Sequence, residues 1–370
     1  MQKEKILCLL HMPPPLHGVS YVNSLVIKNT KSEIFQLHLL PINYSTEITQ
    51  IGSFSFTKLI SFFSLVYNFI SKILIERPKA IYFSITPCGK GFYRDSIFVF
   101  ISKVFRLKII LHIHGIGINR EINSKLKLQF YKLVFKHVNV ITLSKSICWD
   151  IEKIKKVVKK VYVVNNGIEI NLNHQVQKNH EAFNILCLST ITPLKRQLVL
   201  LKAVKLLKDK GYSNVHCQIA GQISNQKYYN TLIEYCNKNG IEKNVNFTGA
   251  IWGDEKNELF KTSDVFVFPT VWESFGLVVL EAFNYKLPVI ATNIGSIPEI
   301  IDDGVNGFIT NPEDANVISE KLEILIVDPE RRKSMGEKGY LKLTQKFSLD
   351  NFSNQLTSVF EQVLDLDSRR

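Results

Sequence analysis

Two glutamates lie in an otherwise apolar stretch of the sequence, PTVWESFGLVVLEAF (269–283), at positions 273 and 281. A carboxylate in such surroundings is costly unless a partner binds it, so either the fold or a ligand must supply that partner. Carboxylates accept hydrogen bonds from hydroxyl groups, and sugars are rich in these donors. One chemistry for Glu273 and Glu281 is therefore to hold the two rings of a nucleotide sugar, one carboxylate for each ring.

The same stretch predicts a strand, a short loop and a helix. DVFVFP (264–269) is a buried strand, and FGLVVLEAFNY (275–285) has the pattern of a helix with Gly276 in its first turn. The N–H groups of Phe275, Gly276 and Leu277 would then be exposed at a helix start, where phosphate groups bind well. An ordinary strand–helix crossover is the alternative. Glu281 is expected on the helix side that carries Leu277.

Two segments of the first half end in residues that could serve a site. HMPPPLHGVSYVN (11–23) has three prolines that hold a loop extended and Gly18 to turn it into the next helix, or it is only a rigid connector. KIILHIHGIG (108–117) places His112 and His114 on one face of a strand. His112 is ambiguous between a core residue and a ligand, whereas His114, at the carboxyl end of the strand, is favoured as a site residue. No third ligand has suitable spacing, so no metal site is predicted.

The pair Arg94–Asp95 in FYRDSIF (92–98) is either part of that site or an ion pair at a helix N-terminus.

The organisation of the chain follows from its length and its strand pattern. With 370 residues, 45% of them hydrophobic, two domains are expected. Short apolar strands alternate with helical stretches, which include 91–104 and 144–159, and this alternation predicts parallel sheets covered by helices. The fold class is α/β, with two Rossmann-like doubly wound domains that face each other across a cleft. We expect domains at 1–165 and 166–345, joined near the polar segment 165–183, and a C-terminal helix at 346–370 that packs back towards the first domain.

The net charge of +13 leaves three classes of partner open: nucleic acid, an anionic membrane surface or a charged small substrate. The densest basic run, EKIKKVVKKVY (152–162), is either a solvated helix face or a membrane contact. No nucleic-acid motif accompanies it, so nucleic acid is not expected. The most lipid-like stretch (56–75) has polar residues at three- and four-residue steps, which favours an amphipathic helix over a membrane span. Six dispersed cysteines without a Cys-x-x-Cys pair are typical of a reduced, cytoplasmic protein.

Several motifs together carry a family resemblance. The two glutamates, the preceding proline and the Ser-Phe-Gly-Leu that starts at Ser274 resemble the glutamate–seven–glutamate motif of the family-four retaining glycosyltransferases, which have the GT-B fold. The other segments that resemble this family are VVNNGIE (163–169), CLSTITPLKRQLVLLKAV (187–204), VNFTGAIWGDE (245–255) and GSIPEIIDDGVNGFI (295–309).

The resemblance implies roles for individual residues of the second half. Glu281 would bind the ribose of the donor, and Glu273 would face the transferred sugar. The segment Ser274, Phe275, Gly276 and Leu277 would contact sugar and diphosphate. Lys195 matches the lysine of the family's diphosphate-binding pair. The arginine of that pair, which should fall near positions 189–190, is missing here, and Arg196 is the candidate to replace it.

In the first half the resemblance places the Gly18 loop over the diphosphate and His114 near the donor sugar. It implies a retaining transfer of a sugar from a nucleoside-diphosphate sugar, with no other cofactor and no metal, by a same-face displacement. The implied acceptor is a lipid-linked saccharide for a bacterial surface polysaccharide of the O-antigen or capsule kind. The protein would be cytoplasmic or peripheral on the inner face of the membrane. The alternative is a non-catalytic nucleotide-sugar-binding protein of the same fold.

Overall fold

The computed structural model describes residues 3–42, 56–170 and 182–364. The chain divides into two compact units: the first comprises Met1–Asn166 together with Leu349–Arg370, and the second comprises Gly167–Ser348. Each unit contains one six-stranded parallel sheet, which confirms the predicted class of two doubly wound α/β domains. None of the helices in the described ranges combines the length and the apolar run that a bilayer crossing requires.

The strands of the two sheets alternate with helices along the chain. The strands are β1 (Glu4–His11), β2 (Phe35–Ile42), β3 (Ala80–Ile85), β4 (Lys108–Ile113), β5 (Asn139–Thr142), β6 (Lys160–Val163), β7 (Phe183–Leu188), β8 (Val215–Ala220), β9 (Val245–Gly249), β10 (Val265–Phe268), β11 (Val289–Thr292) and β12 (Gly307–Thr310). The helices are α1 (Gly18–Asn29), α2 (Phe56–Glu76), α3 (Gly89–Val104), α4 (Ile118–Glu121), α5 (Lys125–Phe135), α6 (Gln197–Asp209), α7 (Gln226–Lys238), α8 (Gly253–Thr262), α9 (Leu277–Asn284), α10 (Ile297–Ile300), α11 (Ala315–Val327), α12 (Pro329–Lys346) and α13 (Leu349–Leu364).

Both sheets reverse their strand order once. The first sheet has the order β2-β1-β3-β4-β5-β6, so the order reverses between β1 and β3; the second has β12-β11-β10-β7-β8-β9, with the reversal between β7 and β10. All these pairs are parallel. In open parallel sheets, ligands bind beyond the carboxyl ends of the strands where the order reverses. The topology therefore directs attention to the loops after β1 and β3 and to those after β7 and β10.

The first sheet is covered on each side by helices with aromatic side chains. Helices α2, α3 and α5 form one layer, in which Phe69 and Phe98 meet edge to face and Phe92 stacks on Tyr131. Helix α13 belongs to the same unit as α1, which it contacts. Its Phe360 lies edge-on to Phe35 of β2 and to Tyr82 of β3, at ring-centroid distances of 5.5 and 5.1 Å.

One predicted helix is wrong in detail. Residues 144–159 form two short 3-10 turns, at Cys148–Ile151 and Lys155–Val157, instead of a continuous helix. The carboxylate of Asp150 in the first turn is buried and accepts hydrogen bonds from the backbone of residues 117–119, so the segment is shaped by a contact with a distant loop. Part of the predicted polar segment, 171–181, lies outside the described residues.

Candidate active site

His114 follows β4 directly and is the central residue of the first unit's candidate site. Its side chain is buried, with 7% of its surface exposed, and within the described residues neither ring nitrogen has a hydrogen-bond partner. Burial, reinforced by the charge of His11, lowers the pKa of His114 to about 3. The ring is therefore neutral near pH 7, and its two nitrogens, one a donor and one an acceptor, are unsatisfied. Buried polar atoms without partners are rare and often mark a ligand site.

His11, at the end of β1, is a neighbour that sequence reasoning missed. Burial lowers its pKa to about 4, while the carboxylate of Asp95 opposes this shift and the guanidinium of Arg94 adds to it. Asp95 is fully buried: its Oδ2 accepts a hydrogen bond from the backbone N–H of Thr86 at 2.9 Å, and its Oδ1 binds Arg94. The ends of β1 and β4 and the helix α3 that follows β3 thus carry interacting charged and imidazole groups around the reversal point.

His112 has a different environment from His114. Its Nδ1 lies 2.5 Å from the hydroxyl of Tyr82 on the neighbouring strand, and it is completely buried. Its ring centroid is 3.9 Å from that of His114, so both rings lie on one face of the sheet, as their spacing predicted. The bond to Tyr82 satisfies one ring nitrogen of His112, while its Nε2 has no hydrogen-bond partner within the described residues.

The second unit brings Lys195 and Glu273 together at its own reversal point. Lys195 follows β7 and Glu273 follows β10, and the ammonium Nζ lies 2.8 Å from the carboxylate Oε2. The Lys195 ammonium also donates to the carbonyl of Trp272, and the backbone N–H of Val271 donates to the carbonyl of Leu194 at 2.9 Å. The two loops are thus held side by side, with a cation and an anion where the topology predicts a ligand.

Glu273 also organises the start of α9. Its Oε1 accepts hydrogen bonds from the backbone N–H groups of Ser274 and Phe275, at 3.0 and 3.4 Å. Gly276 is the N-cap of α9 in the left-handed conformation, with φ of 93°, one position earlier than the first turn predicted for it. The backbone N–H of Val279 donates to the carbonyl of Gly276 at 2.9 Å, and the N–H groups of Leu277 and Val278 precede this first hydrogen bond of the helix.

The loop of residues 295 and 296 supports the loop of residues 273 to 275. The hydroxyl of Ser296 donates to the carbonyl of Ser274 at 2.7 Å. Gly295 has φ of 60°, and a Cβ there would lie 2.2 Å from the carbonyl oxygen of Glu273, so only glycine allows this approach.

Glu281 has a partner that the sequence analysis did not find. Its Oε1 lies 2.8 Å from the Nζ of Lys256 on α8, and both side chains are about a quarter exposed, 26% and 28%. Its charge contributes to raising the pKa of Tyr285 to about 12, although burial of the phenol is the larger cause. Each glutamate of the opening motif is therefore paired with a lysine by the fold, and each pair remains partly open to solvent.

The remaining predicted site residues are placed as follows. Arg196 follows Lys195 in a left-handed conformation, and its guanidinium pairs with Glu313 beyond β12 rather than with Glu273. Gly18 is the first residue of α1, whose N-cap His17 exchanges hydrogen bonds with Ser20. In the described ranges, no group of three or more His, Cys, Asp or Glu side chains could hold a metal ion.

Two lysines of the basic run 152–162 make contacts within the first unit. The ammonium of Lys153 donates to the carbonyls of Asn119 and Ile122, and that of Lys160 binds Gln362 and lies over the ring of Tyr162.

The chain is similar to known glycosyltransferases in sequence and in structure. Residues 169–342, most of the second unit, match the family model of the glycosyl transferases group 1. A Methanocaldococcus jannaschii protein named as an uncharacterized glycosyltransferase is 26% identical over 286 residues, 72% of either chain. The capsular polysaccharide biosynthesis glycosyltransferase CapM of Staphylococcus aureus is 27% identical over 245 residues, 62% of this chain and 63% of the relative.

The similarity in structure extends over both units. The Anabaena protein HepE, solved with UDP and glucose, superimposes with a TM-score of 0.73 over 97% of this chain and 100% of its own, at 19% identity. The resemblance seen in the motifs is thereby confirmed: the second unit matches the group 1 glycosyl transferases, and the chain has the GT-B fold of its structural neighbours.

Proposed function

We propose that the chain is a retaining glycosyltransferase that moves a sugar from a nucleoside-diphosphate sugar to a hydroxyl of a lipid-linked saccharide. The observation that carries this proposal is the Lys195–Glu273 pair at the reversal point of the second sheet, beside the N-terminus of α9. A diphosphate would take Glu273's place at the ammonium of Lys195 and would accept hydrogen bonds from the first N–H groups of α9. The freed carboxylate would then accept hydrogen bonds from the sugar. UDP is the first donor nucleotide to test, because HepE was solved with it.

Catalysis in this proposal is the stabilisation of a leaving diphosphate by fixed charges. Lys195 and the start of α9 neutralise the charge that develops on the departing oxygen, and such donors are most effective when they are positioned before the reaction. The proposal also assigns His114 of the first unit a role in turnover, since its neutral imidazole has no hydrogen-bond partner within the described residues. The proposal needs no covalent nucleophile, cofactor or metal. A role in polysaccharide synthesis is supported by the name of CapM. The proposed lipid-linked acceptor would bring a cytoplasmic protein to an anionic membrane surface.

The test is a thermal-shift screen of UDP, GDP and ADP on the wild type and on Lys195→Ala. At 100 times its dissociation constant, the correct nucleotide should stabilise the protein by about 2.7 kcal/mol. Lys195→Ala should lose most of this gain. Lys210→Ala is the matched control, because Lys210 pairs with Glu323 away from this site. Equal shifts in both variants would remove Lys195 from the site.

The nucleotide sugar that binds is then used as the donor in a transfer reaction. Nuclear magnetic resonance of the product shows whether its anomeric configuration is that of the donor, which tests retention. A protein that binds the nucleotide sugar but never releases its nucleotide, with any acceptor tried, would be the non-catalytic binder. A product of inverted configuration would overturn the retaining mechanism. Activity that chelation abolishes and a divalent cation restores would overturn independence from metal.

A further inference from the structure

The positive charge of the chain is concentrated in one segment. Residues 56–137 contain 14 Lys and Arg but only 3 Asp and Glu, which gives 14 − 3 = +11 of the total +13. The other 288 residues have 46 − 14 = 32 basic and 33 − 3 = 30 acidic side chains, and are nearly neutral. One of the three acids, Asp95, is buried against Arg94. A uniform excess of one charge over so long a segment favours a partner with a broad surface of the opposite charge.

Large apolar side chains are exposed on the same segment. Helices α2, α3 and α5 form one layer on the first sheet, as expected when three successive right-handed crossovers progress in one direction. Their outer surface, called here the three-helix face, contains ten of the nineteen large apolar side chains that are exposed in the described residues. These ten are Ile60, Phe63, Tyr67, Leu74, Ile75, Tyr93, Ile97, Val104, Leu126 and Leu133.

The apolar side chains of α2 are ordered along the helix. Ile60, Phe63, Tyr67 and Leu74 follow steps of three, four and seven residues, and they are 58, 63, 72 and 58% exposed. Such steps place side chains on one side of a helix. The inner side of α2 has its own apolar set, buried in the core, which includes Leu65, Phe69 and Ile73. Helix α2 is thus apolar on two sides, and among the described residues one side is buried in the core while the other is exposed.

Basic residues border this apolar surface. Lys90 and Lys136 are exposed at the ends of α3 and α5, and Lys132 lies on α5 next to Leu133. Lys103 donates to the carbonyls of Leu133 and Val134, and burial together with the charge of Lys136 lowers its pKa to about 8. Positive groups here crowd one another, so an anionic surface would relieve their repulsion.

We infer that the three-helix face binds the surface of an anionic lipid bilayer, with the apolar side chains of α2 entering the headgroup region. Interfacial helices combine large apolar side chains with flanking lysines, and lysines near anionic lipid each contribute to binding. Membrane binding would bring the protein to the proposed lipid-linked acceptor, and in that respect the inference rests on the proposed function. It assigns the membrane contact to a different surface from the basic run 152–162.

Flotation of the purified protein with phosphatidylglycerol vesicles and with phosphatidylcholine vesicles tests the inference without donor or acceptor. Binding is expected to phosphatidylglycerol and to weaken with salt. Lys132→Glu combined with Lys136→Glu should reduce partition by roughly tenfold for each lysine. The matched control is Lys155→Glu with Lys156→Glu, in the basic run, which should leave partition close to that of the wild type. A control that loses binding as strongly would move the contact to the basic run.

A second pair of variants tests the apolar contribution. Phe63→Ser with Tyr67→Ser should lower partition at least tenfold with an unchanged melting temperature, because both side chains are exposed. Val327→Ser with Leu341→Ser, exposed apolar side chains of the second unit, is the control. Unchanged partition of the α2 variant would overturn the inference. So would sedimentation that shows a dimer of the wild type which this variant dissociates, because the face would then bind a second copy. Vesicle binding by a protein that transfers no sugar would leave the inference intact and refute the proposed function alone.

Discussion

At the scale of single residues, the glutamates of the second unit's candidate site are paired by the fold. Glu273 and Glu281 are matched by Lys195 and Lys256, whereas in the first unit both ring nitrogens of the buried His114 lack partners within the described residues. A carboxylate paired with a lysine is stable in the ligand-free protein, and a charged ligand can replace either partner of the pair. A neutral imidazole without partners can donate one hydrogen bond to a ligand and accept another from it.

His114→Ala should lower the rate of sugar transfer by at least tenfold and leave nucleoside-diphosphate affinity within about twofold, since an interaction made mainly in the transition state appears in turnover. Initial rate and melting temperature are measured on one preparation. His112→Ala is the contrasting variant: it removes the partner of Tyr82 and should lower the melting temperature while the folded fraction keeps its activity. A His114 variant that melts early yet transfers sugar normally would return His114 to the core.

Glu281→Gln should weaken binding of the free nucleotide by roughly 1.5–3 kcal/mol, the contribution of a hydrogen bond to a charged group. Its ion pair with Lys256 is partly exposed, so the loss in stability should stay below about 1 kcal/mol. Calorimetric titration measures the affinity. Glu323→Gln, which breaks another ion pair of the second unit, should bind the nucleotide as the wild type does. Equal affinities of all three proteins would exclude Glu281 from the nucleotide site.

At the scale of elements, the site depends on loops whose backbones approach more closely than side chains allow. The 295–296 loop supports the start of α9 through the hydroxyl of Ser296 and through the absence of a Cβ at Gly295. The backbone position of Glu273 is thus set in part by the 295–296 loop.

Gly295→Ala should displace the 273–275 loop, cost about 1–3 kcal/mol of stability and weaken nucleotide binding. Gly240→Ala is a close control: its φ is 63°, against 60° at Gly295, but its Cβ would meet nothing within 4 Å. The Gly240 variant should lose only the smaller free energy that the left-handed backbone conformation costs an alanine, and its affinity for the nucleotide should be unchanged. Denaturant titration and calorimetry separate the two effects. A Gly295 variant indistinguishable from the Gly240 variant would show that the close approach is not required.

The strands and helices could largely be predicted from the sequence. Buried parallel strands are continuous apolar runs, and each of them can be recognised from a short stretch of residues. The family motifs also indicated Lys195, Glu273 and Glu281 as site candidates. Lys256 and His11 could not be found, since they reach the site through packing between elements far apart in the sequence. The segment 144–159 was predicted as a helix because its composition allows one, whereas the contact of Asp150 with residues 117–119 decides its structure.

At the scale of the whole molecule, buried imidazoles make stability depend on pH. Burial lowers the pKa of His11 to about 4 and of His114 to about 3, and it lowers that of His112 well below its ordinary 6.5. In the unfolded chain these groups take up protons near pH 6.5, while in the folded protein they stay neutral. Below that pH the unfolded state binds more protons, so acid favours unfolding.

The free energy of unfolding should therefore fall as the pH drops from about 6.5 towards 5, by up to about 1.4 kcal/mol per pH unit for each of the three histidines. Urea titrations followed by circular dichroism over this range measure the slope. His114→Asn should reduce the slope by the share of one histidine. A wild-type stability that stays constant from pH 7 to about 5 would contradict the burial of neutral imidazoles.

The path of the chain has a consequence for its synthesis. The first unit ends at Asn166 and resumes at Leu349, so α13 leaves the ribosome only after the entire second unit. Until then Phe35 and Tyr82 lack the ring of Phe360, and the first sheet is uncovered where α13 packs. The second unit, continuous from Gly167 to Ser348, can complete its core earlier. The nascent first unit therefore exposes an apolar surface until α13 has been synthesised. Such a surface is one to which a chaperone could bind. A fragment that stops at residue 166 would expose this surface permanently.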